Sequence, residues 1–252
     1  MNGQDMDSRP LDSNLARPLA EEGPAPGLAR DDRIITIDGP AGSGKSTLCR
    51  NLAEALSWRH LDTGALYRAV AVSAFELGAV SEAEATLLAE SLEIRIEPAA
   101  KGSRVFLGER EVTDKLRDPH IGLLSSKLSA IAGVRAALLS LQRAQGLSGK
   151  LVCEGRDMGT VVFPWARLKF FLTADIEARA KRRQMQLLKE GRLMELAEIL
   201  ASLMVRDESD SLRDEAPLKI PQGAVVIDST SLSLFEVEAR MLGEAAKAFG
   251  AS

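Results

Sequence analysis

The chain has 252 residues, of which 45% are hydrophobic and 27% charged, and its formal net charge is −4. This length and composition suit a single globular domain with room for an inserted subdomain. The slightly acidic balance argues against a global attraction to nucleic acid or anionic membranes, so local basic clusters must hold any anionic ligand. Only two cysteines, Cys49 and Cys153, are present, both in apolar runs. They argue against a disulfide framework or a zinc site of protein thiolates, and we expect buried thiols in a reducing compartment.

Residues 1–30 are rich in Pro, Gly, Asp, Glu and Arg and carry no hydrophobic signal segment. This composition predicts a disordered tail, to which we assign no function. No apolar run approaches the ~18 residues that a membrane span requires. We therefore expect a cytoplasmic protein with no membrane partner.

Five short segments have the apolar, β-branched texture of buried strands. They are residues 33–38 (RIITID), a shorter one near 58–61, 150–154 (KLVCE), 168–172 (LKFFL) and 224–228 (AVVID). Helical patterns lie between most of them, over residues 46–57, 64–77, 123–145 and a segment after Thr173. This alternation predicts an α/β fold in which helices cover both faces of a parallel sheet.

Residues 92–112 break that alternation. LEIRIE (92–97) alternates apolar and charged residues, and short segments at 104–107 and 109–112 follow, separated by Gly102 and Gly108. The pattern predicts a small antiparallel sheet inserted into the α/β core.

The strongest chemical signal is GPAGSGKS at residues 39–46, which matches the pattern Gly, four residues, Gly-Lys, then Ser or Thr. It follows a predicted strand and begins a predicted helix, which is the context that a phosphate-binding loop requires. Glycines allow successive N–H groups to point at a phosphate, and the helix N-terminus adds a positive end. Lys45 can reach the β- and γ-phosphates, and Ser46 can bind Mg²⁺. The loop indicates a nucleoside triphosphate but does not distinguish a kinase from a GTPase or a motor.

Four further polar clusters lie near the ends of predicted elements. They are DTGALYR (62–68), EGRDMGT (154–160), a cationic stretch at 179–192, and RDESDSLR (206–213), in which Arg206, Asp210 and Arg213 are spaced to share one helical face. Each alone also fits a solvated helix face or a structural ion pair. Together, one phosphate loop and several arginines on separate elements indicate two phosphate-bearing substrates held in one cleft.

In combination and order, these segments resemble bacterial cytidylate kinases, of the nucleoside monophosphate kinase group. The resemblance extends over about residues 34–242 and rests on ITIDGPAGSGKSTL, LDTGALYR, EGRDMGTVVFP, ARAKRR, RDESDSLRDEAPL and VIDST. It implies a P-loop kinase domain at 31–252 with a five-stranded parallel core. It also implies an acceptor-binding subdomain at about 62–146, carrying the small antiparallel sheet, and a helical lid at about 179–192.

The resemblance also implies site residues. The ATP site would comprise Gly39, Pro40, Ala41, Gly42, Ser43, Gly44, Lys45, Ser46 and Thr47, with Mg²⁺ on Ser46. The CMP site would comprise Thr63, Arg68, Ser126, Arg135, Arg156, Asp157, Arg206, Asp210 and Arg213. Arg68, Arg156 and Arg213 would hold the acceptor phosphate. Ser126, Arg135 and Asp157 would recognise the base, while Arg206 and Asp210 would face the sugar. The catalytic set would be Lys45, Arg156, Asp157 and the lid residues Arg182 and Arg183.

The implied activity is transfer of the γ-phosphoryl group of ATP to CMP and dCMP, in pyrimidine nucleotide metabolism, by a monomer without a nucleic-acid partner. Two alternatives stay open: a P-loop kinase for UMP or another small acceptor, and a nucleotide-binding regulatory module. The sequence carries no N-K-x-D motif of the kind that specifies guanine in GTPases. Glu154, where the family often has Asp, and KIPQG at residues 219–223 depart from the family pattern.

Overall fold

The computed structural model describes residues 31–78, 81–99 and 102–250, so the predicted N-terminal tail lies outside the described residues. Five parallel strands form the main sheet. They are β1 (Ile34–Asp38), β2 (Arg59–Asp62), β6 (Leu151–Gly155), β7 (Leu168–Thr173) and β8 (Val225–Asp228). The strand order is β2-β6-β1-β7-β8. The predicted parallel sheet is confirmed, with strand ends displaced by at most one residue.

The position of each strand follows from its composition. All five residues of β1 (IITID) are buried, because β1 lies between β6 and β7 and helices cover both its faces. The edge strands β2 (RHLD) and β8 (VVID) each bury only one residue fully. The chain forms β2 and β6 on one side of β1 and then β7 and β8 on the other, and ligands of open α/β sheets bind beyond the carboxyl ends of the strands at such a reversal of strand order.

The described residues also form eight α-helices. They are α1 (Lys45–Ala55), α2 (Thr63–Leu77), α3 (Glu82–Ser91), α4 (Pro119–Leu128), α5 (Ala132–Gln145), α6 (Ile176–Lys189), α7 (Leu196–Leu212) and α8 (Leu234–Phe249). Helices α1 and α8 share one apolar core with β1, β6, β7 and β8, in which Leu52, Phe170 and Met241 are fully buried.

The chain between β2 and β6 forms a second apolar core. Helices α2 to α5 pack there against an antiparallel sheet of β3 (Ile94–Ala99), β4 (Gly102–Leu107) and β5 (Arg110–Glu111). Its strands supply Val105 and Leu107, and its helices supply Val70 and Leu138. The predicted antiparallel insert is therefore present. The division into an acceptor subdomain and a lid stays a prediction.

Two details correct the sequence interpretation. The helical patterns predicted over about residues 123–145 begin earlier, at Pro119, and correspond to the two helices α4 and α5. Helix α7 ends at Leu212, and Arg213 is its C-cap with an extended backbone (ψ 140°), so Arg213 does not lie on the helical face of Arg206 and Asp210.

Both cysteines are free and buried, as expected. Among the described residues, no single helix is long and apolar enough to cross a membrane. Only α4 and α5 taken together reach that length and composition, with a 99° bend between them.

Candidate functional site

The loop of residues 39–47 connects the carboxyl end of β1 to the start of α1. Gly39, Gly42 and Gly44 all have positive φ, at 150°, 75° and 97°. A Cβ at Gly39 would lie 2.0 Å from the carbonyl oxygen of Leu172, so no side chain fits there. Gly44 is the N-cap of α1 and offers no capping side chain, which leaves the first N–H groups of the helix available to an anion. The loop therefore has the backbone geometry of a phosphate cradle.

Lys45 lies within this loop, with a side chain that is almost fully buried. Its Nζ donates to the carbonyl of Pro40 at 2.6 Å and to Ser43 Oγ at 3.3 Å. Burial, with repulsion from Arg156, holds the pKa of Lys45 well below its usual range. A buried ammonium in a cationic setting gains most from a negatively charged neighbour, which a phosphate would supply.

Ser46 connects the loop to the neighbouring strand. Its hydroxyl donates to Glu154 Oε2 at 2.7 Å, and Glu154 is near the carboxyl end of β6. The carbonyl of Glu154 in turn accepts from Thr63 Oγ1 at 2.6 Å. The phosphate loop and the start of α2 are thus both fixed on Glu154.

Arg179 of α6 supports the loop from the other side. Its guanidinium donates to the carbonyl of Ala41 at 3.0 Å and forms an ion pair with Asp207 of α7 at 2.6 Å. The sequence placed Arg179 only within a cationic run. Its buried position shows that this arginine connects α6, α7 and the loop.

A cleft opens beside the loop. It is lined from α2, α4, α5, the end of β6, α7 and its C-cap by Thr63, Gly64, Tyr67, Ser125, Ser126, Ser129, Arg135, Gly155, Arg156, Asp157, Arg206, Asp210 and Arg213. Eight of the nine residues predicted for the acceptor site are in this lining. The fold therefore brings together residues that are up to 150 positions apart in the chain.

One end of the cleft carries a surplus of positive charge. Arg156 Nε donates to Asp210 Oδ2 at 2.6 Å, and Arg213 Nη1 lies 4.0 Å from Asp210 Oδ1. Burial would raise the pKa of Asp210, but Arg156, Arg206 and Arg213 lower it. Burial, with repulsion from Arg156, lowers the pKa of Arg206 to about 10. One carboxylate thus faces three guanidinium groups, which suits a dianionic ligand.

Two of these arginines have unused donors. Within the described part of the chain, Arg206 Nε and Arg213 Nη2 are buried and have no hydrogen-bond partner. Buried donors without partners are rare and costly in folded proteins. A phosphate or sugar oxygen in the cleft would satisfy them.

The other end of the cleft contains a buried ion pair, whose two charges cancel. Arg135 of α5 forms an ion pair with Asp157 and donates to the carbonyl of Ser129 at 3.2 Å. The guanidinium also lies 5.7 Å from the ring centre of Tyr67. Ser126 is in the same lining. This end presents donors, an acceptor carboxylate and an aromatic ring, which suits a planar polar group.

Arg68 is the predicted acceptor residue that does not line the cleft. It forms an ion pair with Asp62 at 2.6 Å, just before α2. Burial is the main cause of the lowered pKa of Arg183 and of Arg206, and the charge of Arg68 adds to both, so Arg68 is near the cationic end of the cleft and near α6.

The two predicted lid arginines are both on α6, outside the cleft lining. Arg182 donates to Ser229 Oγ at 2.9 Å and to the Ser229 carbonyl, just after β8. Arg183 is partly buried, and burial lowers its pKa. Their role at the transferred phosphoryl group stays a prediction.

Asp38 is a residue of this region that the sequence interpretation did not assign. It ends β1, immediately before the loop, and its fully buried carboxylate accepts from the N–H groups of Met158 and Gly159, both at 2.8 Å. It thereby holds the turn that carries Arg156 and Asp157. The only feature of the sequence that could have indicated this role was an acidic residue at the carboxyl end of the central strand.

Comparisons with known proteins agree on one family. The model of the family described as "Cytidylate kinase" matches residues 35–247. A cytidylate kinase from Citrifermentans bemidjiense is 47% identical over 81% of this chain and 88% of its own length. Those from Carboxydothermus hydrogenoformans and Saccharophagus degradans are 44% and 46% identical, over 82% and 83% of this chain and 95% of their own lengths. Each relative is thus matched over most of its length, and the range of the family model includes the loop and the cleft.

Proposed function

The chain belongs to the cytidylate kinase family, and from this premise we propose that it transfers the γ-phosphoryl group of ATP to CMP and dCMP. The observation that carries the proposal is the convergence of eight predicted acceptor residues in one cleft beside the phosphate loop. Transfer between two phosphates requires a donor site and an acceptor site next to each other. Glu154 connects them here, because it accepts from Ser46 of the loop and from Thr63 of the cleft.

ATP would be held by the loop of residues 39–47. The backbone N–H groups at the start of α1 would bind its phosphates, and Lys45 would turn from the Pro40 carbonyl toward the β- and γ-phosphates. The acceptor is itself a phosphate anion, so a strong general base is unnecessary. Positioning and charge stabilisation supply most of the rate enhancement in such reactions.

Mg²⁺ fits the oxygen groups at this loop. The Ser46 hydroxyl would bind it, and Glu154, 2.7 Å away, would orient that hydroxyl, because oxygen ligands are those that Mg²⁺ prefers. When bound, the ion would neutralise charge on the ATP phosphates. The other residues of the loop and cleft bind and orient the two substrates.

The acceptor phosphate would lie at the cationic end of the cleft, against Arg156 and Arg213, with Arg68 nearby. The sugar would face Arg206 and Asp210, and the base would face Ser126, Arg135 and Asp157. Cytosine offers an N4 amino donor together with N3 and O2 acceptors. The Asp157 carboxylate can accept from N4, and Arg135 can donate to N3 and O2. Uracil has the opposite polarity at its O4 and N3, so UMP is the weaker alternative.

The proposal extends to a cytoplasmic monomer that works in pyrimidine nucleotide metabolism. The two buried free thiols support a reducing compartment. Gel filtration of the full chain tests whether the protein is monomeric.

The decisive experiment measures ADP formation with CMP, dCMP, UMP, AMP, GMP and shikimate as acceptors. We expect kcat/KM for CMP and dCMP to exceed that for UMP by at least about tenfold, because each reversed hydrogen bond costs about 1–3 kcal/mol. We expect AMP and GMP to be excluded by size. Equal values for CMP and UMP would overturn the base assignment. A shikimate-specific activity would overturn the family's reaction for this chain.

A further inference from the structure

Three potential metal ligands meet beneath the phosphate loop. Cys49 is on α1, three residues after Ser46, His60 is on β2, and Glu154 is on the adjacent strand β6. One ligand atom from each, the sulfur, an imidazole nitrogen and a carboxylate oxygen, all lie within 4.8 Å of one another. The separation of His60 Nε2 from Glu154 Oε1 is 3.5 Å. None of the roles assigned to the donor loop or the acceptor cleft uses Cys49 or His60.

The facing atoms of this cluster are unsatisfied. Glu154 Oε2 accepts from Ser46, but Glu154 Oε1 and His60 Nε2 are buried and lack a hydrogen-bond partner among the described residues. The Glu154 side chain is only 6% exposed. These two atoms face each other at 3.5 Å, too far for a good hydrogen bond, so both are poorly satisfied in a buried place. Two such atoms aimed at each other and at a thiol indicate a place for a cation.

We propose that Cys49, His60 and Glu154 form a binding site for a thiophilic divalent cation, with Zn²⁺ as the best fit, separate from the Mg²⁺ position at Ser46. Thiolate, imidazole and carboxylate are the ligands that Zn²⁺ takes in proteins, whereas Mg²⁺ does not favour sulfur or nitrogen. Three protein ligands leave the fourth tetrahedral position for water.

The geometry requires a small contraction. Tetrahedral bonds of about 2.0–2.3 Å place ligand atoms roughly 3.3–3.8 Å apart. The three atoms here lie within 4.8 Å, so shifts of about 1 Å at the side chains suffice. Cys49 stays protonated without a metal, because burial raises the pKa of its thiol well above the usual value. Binding would form a sulfur–zinc bond and release the thiol proton to solvent.

The site would interfere with phosphoryl transfer through the shared carboxylate. Glu154 accepts from the Ser46 hydroxyl through Oε2 and would bind zinc through Oε1, so the shift that brings Oε1 to the ion would also move Oε2 away from Ser46. Occupancy by Zn²⁺ should therefore inhibit the kinase in the presence of excess Mg²⁺. This consequence rests on the proposed function, whereas binding itself does not.

Binding is tested on the full, metal-free chain by titration with Zn²⁺ against a chromophoric chelator. The proteins are the wild type, Cys49→Ala, His60→Leu and the control Cys153→Ala, whose thiol is equally buried but outside the cluster. We expect one equivalent of Zn²⁺ in the wild type and the control, and at least tenfold weaker binding in the other two variants. Melting curves of metal-free proteins identify any variant that fails to fold, and Cys49→Ser and His60→Gln then replace it.

Co²⁺ provides a readout that needs no variant. Coordination by Cys49 should give the wild type a thiolate-to-cobalt charge-transfer band, which Zn²⁺ abolishes. Absence of that band, absence of a one-equivalent Zn²⁺ site, or binding that survives in both Cys49 and His60 variants would each overturn the proposal.

The inhibition arm follows CDP formation directly, with each protein's rate normalised to its own Zn²⁺-free rate. We expect Zn²⁺ to inhibit the wild type reversibly, with recovery on addition of EDTA, and the His60→Leu protein to need at least tenfold more Zn²⁺. Zinc binding without inhibition would overturn the coupling through Glu154. A protein that binds zinc but phosphorylates no acceptor would instead contradict the proposed function.

Discussion

The donor loop at residues 39–47 and the acceptor cleft are neighbours built in different ways. The loop is one unbroken stretch whose binding groups are mostly backbone N–H groups, held by glycines with positive φ. The cleft is assembled from side chains of several helices and one strand end, and its polar residues are arranged as ion pairs. Loop function therefore depends on backbone conformation, whereas cleft function depends on charge balance.

This difference decides how each region responds to mutation. Removal of Lys45 takes away a buried cation whose pKa is already lowered by burial, so the fold loses little. Removal of a carboxylate from the cleft leaves buried guanidinium groups uncompensated, which typically costs about 3–5 kcal/mol. Substitutions that delete one arginine, or keep the shape of a carboxylate, are thus the informative ones in the cleft.

The largest effect is expected at the loop. Lys45→Ala should lower kcat by roughly 100- to 1,000-fold, because a contact to developing charge contributes about 3–4 kcal/mol. The melting temperature should stay within a few degrees of the wild type. Steady-state kinetics and calorimetry measure the two quantities, with Lys247→Ala, an exposed lysine of α8, as the control. Turnover within tenfold of the wild type in a folded Lys45→Ala protein would contradict the donor assignment.

The cleft is tested next by Arg206→Ala. The KM for CMP should rise by about 10- to 100-fold while the KM for ATP changes less than about twofold, because a hydrogen bond to a charged group contributes about 1.5–3 kcal/mol. Stability should be preserved, since the buried Arg206 is repelled by Arg156. Glu208→Ala, on an exposed position of the same helix, is the control. A rise confined to the KM for ATP would assign this part of α7 to the donor side.

The same contrast explains how much the sequence could predict. The loop is a continuous segment, so the strand, the glycines, Lys45 and Ser46 follow one another in the sequence. Their order alone predicts a phosphate-binding loop. The parallel sheet was equally accessible, because a buried central strand such as β1 is apolar throughout and the edge strands are not. The helices were predicted less completely, because α3 and α8 were not among the helical patterns, and element ends differed where backbone hydrogen bonds rather than composition decide the boundary.

The cleft could not be derived from spacing alone. Arg135 and Asp157 are paired across 22 residues, and Arg156 and Asp210 across 54, and no periodicity connects them. The roles of these residues were predicted from the family resemblance. Arg213 shows the limit of periodicity: its i+7 spacing from Arg206 suggested a shared face, but the helix ends first. Asp38 was missed because its role is to hold two backbone N–H groups of a distant turn.

A smaller effect is expected from Asp157→Asn, which keeps the shape of the side chain but offers one oxygen and one amino group. The ratio of kcat/KM for CMP over UMP should fall from at least about tenfold to within about threefold, mainly because CMP binds less well. The Asn amino group can donate to O4 of uracil, which the carboxylate cannot. Both ratios come from the same ADP assay. An unchanged ratio would remove Asp157 from base recognition and leave it as a structural partner of Arg135.

The smallest effect on turnover is expected at Asp38, which connects the two regions. Burial, opposed by the N–H groups of Gly159 and Met158, raises the pKa of its carboxyl from 3.8 to about 7. Between these values the folded state keeps a proton that the unfolded state has lost, so wild-type stability should fall as the pH rises from about 4 to about 7. The slope is at most about 1.4 kcal/mol per pH unit. Asp38→Asn removes this contribution, so its curve should be flatter, while Glu208→Gln, a surface control, should follow the wild type. Urea denaturation at pH 5, 6 and 7 measures the slopes, and parallel curves for Asp38→Asn and the wild type would contradict the raised pKa.

The Asp38→Asn variant replaces one accepting oxygen with a donor that faces a backbone N–H, so the turn at residues 156–159 should loosen. We expect kcat/KM for CMP to fall by less than about tenfold. If the KM for ATP rises in parallel, the loop and the cleft are coupled through Asp38; if it does not, they respond as separate structures that share one strand end.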